Sequence, residues 1–247
     1  SITFGGTVNA DDSANKRTLT LNAGLQGDVS FDGVVGGSEP PYTITIENAR
    51  NVTATAMTVG SLVQSAGEGT TTFNGAVTTT EAGGIDLNGV DFAINAPIVT
   101  QNGGSVAITN SGSVTIGASG DFSLAGAFTQ DGTGAVSIAG DITTTGSNIS
   151  FSSPVILTGD VALSTGSGSG DISFADTVDG AYDLALTAGT GSISFSGDIG
   201  SSTRIGNLSI SSAAGVAIQA VSASSISQAA GSGTTTFSGA VSTSGSD

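Results

Sequence analysis

Residues 57–80 (MTVGSLVQSAGEGTTTFNGAVTTT) return as residues 221–244 (VSASSISQAAGSGTTTFSGAVSTS), 164 positions later, with 13 of 24 positions identical and no gap. A chain that repeats itself at this length is an array of stacked units, and arrays build their cores by neighbour-on-neighbour contact. The match extends upstream. Tyr42–Ile46 aligns with Gly206–Ile210, Leu19–Gly36 answers Leu184–Gly200 with a one-residue gap, and SITFGGTVN (1–9) answers DISFADTVD (171–179). The chain therefore reads as one continuous element, residues 1–247, holding about one and a half copies of a unit of 164–170 residues. The first copy is 1–170 and the partial second copy is 171–247.

Comparing the copies separates what the fold needs from what it tolerates. Phe4/Phe174, Phe31/Phe195, Phe73/Phe237, Leu19/Leu184, Leu21/Leu186 and Ile46/Ile210 are retained. Charged positions are not: Asp28 becomes Ser192, Asp32 becomes Ser196, Glu47 becomes Ser211, Glu68 becomes Ser232 and Arg50 becomes Ala214. The core pattern repeats and the chemistry varies, which points to a scaffold.

A shorter motif runs inside each copy: two apolar residues at alternating positions, a few small residues, then another apolar one. Examples are Ile2-Thr-Phe4-Gly-Gly-Thr-Val8, Thr71-Thr-Phe73-Asn-Gly-Ala-Val77 and Ile193-Ser-Phe195-Ser-Gly-Asp-Ile199. Its third position falls at 4, 31, 73, 94, 124, 138, 151, 174, 195 and 237, with several gaps near 21 or twice that and others from 13 to 30. Period-two alternation predicts strands with one buried face, and Gly, Asn, Asp and Ser between them supply turns. No segment carries a capped 3.6-residue pattern, so the chain reads as all-β. Tandem sandwiches need units of about 100 residues, whereas a parallel β-helix winds roughly 20–25 residues per coil and stacks coils about 4.8 Å apart. That expectation is a solenoid of roughly 11 coils and about 50 Å. Coil lengths deviating from 21 residues would mark loops on one side, such as Asn9–Lys16, which the second copy lacks.

Charge narrows the function classes. Four basic against 20 acidic residues leave a formal charge of −16, which disfavours nucleic acid, whose binding releases counterions from phosphates through Lys and Arg, and anionic membrane surfaces. With no stretch of 18 apolar residues, no membrane insertion is expected. The chain contains no Cys and no His, which removes disulfides, thiol and His-based catalysis, and His/Cys zinc sites. It begins inside one repeat motif and stops just after another, and is expected to be an excerpt of a longer mature protein.

The G-x-[IV]-[ST]-F-x-G-x-[VI] rungs, with LTLNAG and LALTAG between them, resemble the repeat regions of filamentous-haemagglutinin-like and autotransporter-type bacterial surface proteins. That resemblance implies a right-handed parallel β-helix, extracellular or cell-surface exposure, and an adhesive or structural role.

Candidate chemistry is sparse. Lys16, the only lysine, would have to serve any Ser-Lys mechanism, and its place in the Asn9–Lys16 insertion reads as a solvated loop. The densest acidic group is Asp171, Asp176, Asp179 and Asp183, with Ser1, Gly6 and Asn9 at the first three positions in the first copy. Convergent carboxylates could serve glycoside cleavage or calcium, but turn carboxylates are the simpler reading. Gly-Asp recurs at Asp28, Asp121, Asp141, Asp160 and Asp171 without the nonapeptide of calcium β-rolls, so these aspartates are expected to bond nearby backbone N–H groups. Gly166–Gly170 lacks the lysine and helix of a phosphate loop. The Thr runs at 70–72, 78–80, 143–145 and 234–236 do not recur on consecutive rungs as an ice-binding face would require. No catalytic, cofactor-binding or metal-binding residue is assigned, and no cofactor is expected.

The expected function is that of a rigid extracellular structural or adhesive rod. Its partners would be neighbouring repeats or identical subunits stacked end to end, and surface glycans or proteins. The alternatives are a β-helix carbohydrate-active enzyme, disfavoured by only two Tyr and no Trp, and a glycan-binding module. For the last, the insertion Asn9–Lys16 and the turn Glu39-Pro-Pro-Tyr42 are the places to look.

Overall fold

Alternation drives the architecture. In strand after strand of the computed structural model, which describes residues 1–244, a buried residue is followed by a half-exposed one and then another buried one. Short strands of this kind cannot bury a core alone, so each pairs with the equivalent strand one turn away. All ladders between named strands are parallel. The result is a three-sided solenoid of about eleven turns.

Each turn contributes in chain order to a first, a second and a third sheet. The fourth turn shows this with Thr70–Phe73, Val77–Thr79 and Ile85–Gly89. Turns differ in length. Phe4 pairs with Phe31, 27 positions on, because the first turn carries the Asn9–Lys16 insertion, whereas Ala54 pairs with Phe73, 19 positions on. Near the carboxyl-terminal end Val178 bridges Ile199 and Ile199 bridges Val221, continuing the first sheet. The strand Val221–Gln228 runs through a corner and serves both the first and second sheets.

The interior is a continuous column of Val, Ile, Leu and Phe. In the third sheet Phe128, Phe151, Phe174 and Phe195 lie on consecutive turns with ring centroids 5.3, 5.3 and 4.7 Å apart. That spacing is set by the strand separation and suits stacked rings. Corners need small residues because the backbone of one turn lies against the next. Gly36 and Gly200, equivalent in the two copies, have φ of +68° and +67°. A Cβ on either would meet the carbonyl oxygen of Thr58 or Ser222 at 1.9 or 2.1 Å. Only glycine serves there.

The irregular motif gaps have a structural reason. Leu124, Ile138 and Phe151 are buried on the second, first and third sheets respectively. Gaps of 14 and 13 residues therefore mark the motif moving to another face and are not short coils.

Candidate functional site

Polar side chains at the corners are used mainly to tie one turn to the next. The five Gly-Asp aspartates do bond backbone N–H groups, yet their partners are remote in sequence. Asp28 Oδ1 accepts from Asn51 N (3.2 Å), Asp121 Oδ1 from Asp141 N (2.9 Å) and Asp141 Oδ1 from Ala162 N (2.7 Å). Asp160 Oδ1 accepts from Asp183 N (3.0 Å) and Asp171 Oδ1 from Ser192 N (2.7 Å). The expected local turn bonds are thus corrected: each carboxylate caps the following turn, because stacking brings the residue about one turn onward closer than residues two along the chain.

The acidic group 171–183 is dispersed. Asp171 precedes a third-sheet strand, Asp176 follows it, and Asp183 precedes a second-sheet strand, so the three lie at three different corners. Asp179 Oδ1 accepts from Ser202 N and Thr203 N at 2.7 and 2.9 Å. The first copy repeats this with Asn9 Oδ1 and the N–H groups of Ser38 and Glu39 at 3.2 and 3.5 Å. An amide replaces a carboxylate in the same role, so the position needs an acceptor and no charge. Among the described residues, no three carboxylates form a group able to hold a metal ion.

The second and third sheets meet at a corner where the first two turns build a side lobe. It unites the two stretches that the sequence singles out, Asn9–Lys16 and Glu39–Tyr42, with the residues that flank them. Val8 O accepts from Gly36 N (2.7 Å), Glu39 O from Ala10 N (2.9 Å), and Arg17 O from Tyr42 N (2.7 Å). Register explains the meeting: Val8 bridges Val35, so whatever follows each must lie side by side. Arg17 grips Asp11 through Nε and a terminal nitrogen, both at 2.9 Å. The Arg17 guanidinium accordingly holds the Asp11 carboxyl below the usual carboxylate range. Lys16 Nζ stands 4.5 Å from the Tyr42 ring centroid, a cation–π distance. Lys16, Pro40, Pro41, Tyr42, Thr80 and Glu81 line a cleft of about 130 Å³ beside Gly60. It combines an ammonium, a carboxylate and apolar rings.

A wider groove of about 510 Å³ follows the corner between the third and first sheets, with Glu68 and Asp131 at its edge and Asn88, Thr109 and Asn110 in its wall. Beneath it lies a polar knot absent from the sequence-based expectations. Buried Gln130 donates from Nε2 to Asn110 Oδ1 (2.7 Å) and Gly132 O (3.1 Å). Its Oε1 accepts from Ser153 Oγ (3.0 Å) and Ser152 N (3.2 Å). A related pair, Thr71 Oγ1 to Gln64 Oε1 (2.8 Å), recurs as Thr235 to Gln228 (2.7 Å). Identity of Gln64 with Gln228 and of Thr71 with Thr235 was the available signal.

Comparison of the chain with protein-family models, curated proteins and solved structures finds no match.

Proposed function

We propose that this solenoid is a rigid structural rod of an extracellular or cell-surface protein, with the lobe of the first two turns as its adhesive element. The observation that carries the rod reading is the unbroken hydrophobic column, from Leu21 to Ala223, with one register logic throughout. Such a body resists bending because every turn is bonded to both neighbours along three sheets. The carboxylates support the same reading, since those that would serve a cleavage reaction lie apart: Asp171, Asp179 and Asp183 cap the next turn, and Asp176 accepts from the adjacent Thr177 N.

The adhesive part rests on Lys16, Tyr42, Pro40, Pro41 and Glu81 sharing one cleft on an otherwise Ser-, Thr- and Gly-rich surface. Aromatic rings flanked by charged donors and acceptors suit the apolar faces and hydroxyls of sugars.

Electron microscopy tests the rod: unbranched particles about 50 Å long per chain are expected. Labelling of intact against permeabilised producing cells tests exposure. A glycan array with wild type and Tyr42→Ala tests the lobe, and binding that survives the substitution excludes it. Cleavage of a polysaccharide by purified protein would overturn the non-enzymatic reading.

A further inference from the structure

Asparagine followed by glycine occurs three times, at Asn74-Gly75, Asn88-Gly89 and Asn102-Gly103. In such a pair the glycine nitrogen can attack the asparagine side-chain carbonyl carbon, because no Cβ shields it and glycine lets the backbone rotate into position. The reaction needs a pair whose backbone is free to turn, and the fold treats the three pairs differently.

Asn88 and Gly89 end the strand Ile85–Gly89, where they pair with Thr109 and Asn110 of the next turn. Asn88 O accepts from Gln64 Nε2 at 3.3 Å and Gly89 O from Ser111 N at 3.1 Å, so both peptide groups are fixed. Asn74 and Gly75 form a corner pressed against the preceding turn. Asn74 N donates to Ala54 O at 2.9 Å, and its side-chain Oδ1 accepts from Asn95 Nδ2 at 3.0 Å. A Cβ on Gly75 would stand 2.5 Å from Ala56 N.

Asn102 and Gly103 are held by much less. Both are exposed and neither belongs to a strand. Their φ values are +52° and +81°, two left-handed residues in a row, and a Cβ on Gly103 would meet nothing within 4 Å. Gly104 N closes the turn onto Gln101 O at 2.9 Å, and Gly103 N has no hydrogen-bond partner among the described residues. One bond holds the side chain: Asn102 Nδ2 donates to Thr80 O at 2.8 Å. Loop tips of this kind open without disturbing the ladders beneath them.

We propose that Asn102 is a site of spontaneous deamidation, and that the change loosens the corner to which Asn102 is tied. Gly103 N forms a bond to Asn102 Cγ and gives up its proton. The bond from Cγ to Nδ2 breaks, and the side-chain nitrogen leaves with that proton as ammonia. Water then opens the five-membered imide at either carbonyl, giving aspartate or isoaspartate. No oxidant or reductant is needed. Both products carry an ionised carboxylate, which only accepts hydrogen bonds, so Thr80 O loses its donor and faces a negative charge. Thr80 and Glu81 line the cleft that also holds Tyr42, and the modification therefore reaches the wall of that cleft through one hydrogen bond. It depends on neither the rod nor the adhesive reading.

Peptide mapping of the full chain during incubation in mildly alkaline buffer tests it. Cleavage before aspartate places the three pairs in separate peptides, 32–85, 86–90 and 91–120. The last should acquire an uncut isoaspartate form and a form newly cut before residue 102, several-fold faster than the other two peptides change. In urea, with the ladders gone, the three pairs should convert at similar rates. Asn102→Gly, which suits the positive φ, should remove the fast phase of ammonia release and keep the circular dichroism. In the aged chain, hydrogen exchange should quicken at Thr80, Glu81 and Gln101, whose amides bond the preceding turn. Asn102 that stays an amide overturns the site, as does folded Asn74 or Asn88 converting equally fast. A lead for Asn102 that is as large in urea shows that the fold does not select it, and the inference fails. Unchanged exchange at Thr80 and Glu81 in the aged chain overturns the coupling to the cleft.

Discussion

Phe73 and Phe237 hold the same position in the repeat and lie on different sides of the solenoid, Phe73 in the first sheet and Phe237 in the third. The same displacement holds for Phe31 and Phe195, and Leu19 in the third sheet answers Leu184 in the second. The 164-residue spacing thus spans seven full turns and two further faces, so the second copy is rotated by one side relative to the first. A repeated residue must suit two different sides, and only what all sides share can persist: inward alternation and small corner residues. Corner chemistry is less continuous, persisting where it ties turns together, as in Asn9/Asp179 and Gln64/Gln228, and changing elsewhere. Tyr42 stands at the corner between the second and third sheets, whereas its equivalent Gly206 lies at the start of a second-sheet strand.

The stacked column predicts local rather than global damage. Phe195 lies against Phe174 at 4.7 Å and is 2% exposed. Truncation to Ala should cost about 3–5 kcal/mol, and Asp should cost more by burying an unpaired carboxylate. Hydrogen exchange should quicken most in Ile172–Phe174 and Val216–Ile218, the strands on either side. Uniform acceleration along the whole chain would contradict nearest-neighbour stability.

How far this was legible follows from which signals are local. Strand alternation is local, and Val29, Phe31, Val136 and Ile138 all turn inward as the pattern implies. Which side a strand joins is set by accumulated turn lengths, so the spacings of Leu124, Ile138 and Phe151 could not reveal three different sheets. The lobe shows the same limit. Both of its stretches stand out in the sequence, but their contact depends on Val8 meeting Val35 across 27 residues. The capping aspartates show the same limit: their residue type points to backbone N–H partners, and stacking places those partners about one turn away.

Glycine substitutions should divide sharply by site. Gly36→Ala and Gly200→Ala each place a Cβ against a carbonyl oxygen at positive φ and should each destabilise by more than about 1 kcal/mol. Gly5→Ala has no atom within 4 Å of the added carbon and should leave the urea midpoint nearly unchanged. Equal midpoints for all three variants would show that these corners relax freely.

Gln130 offers a test of buried polarity. Gln130→Leu keeps the apolar volume but takes the side-chain donor from Asn110 Oδ1 and Gly132 O, while Ser152 N keeps the residue-130 carbonyl at 2.9 Å and Ser153 Oγ keeps Gly134 O at 2.7 Å. Each orphaned buried group costs about 1–3 kcal/mol, so a melting temperature several degrees lower is expected. An unchanged or higher value would mean that water replaces the amide without loss.

Acid titration separates two opposing electrostatic effects. The formal charge of −16 makes the rod repel itself, and protonation relieves that repulsion. Individual caps act the other way. The Asn207 backbone N–H, with help from its side-chain amide, bonds the Asp183 carboxylate at 2.6 and 3.0 Å and lowers its pKa. Arg50, followed by Asn51, lowers that of Asp28. For both, the folded pKa lies below the unfolded one, so the unfolded chain binds more protons in acid and the cap stabilises the fold more as pH rises. That contribution is complete above the unfolded carboxylate value of about 4 and is lost as pH falls through the folded value. Comparing melting temperatures of wild type with Asp183→Asn and Asp28→Asn cancels the common relief of repulsion. Wild type should lead at pH 5–7, with the lead narrowing below about pH 4 as the native carboxylates protonate. A lead that persists undiminished at pH 2 would assign the advantage to the shape of the aspartate and remove charge from the account of how one turn holds the next.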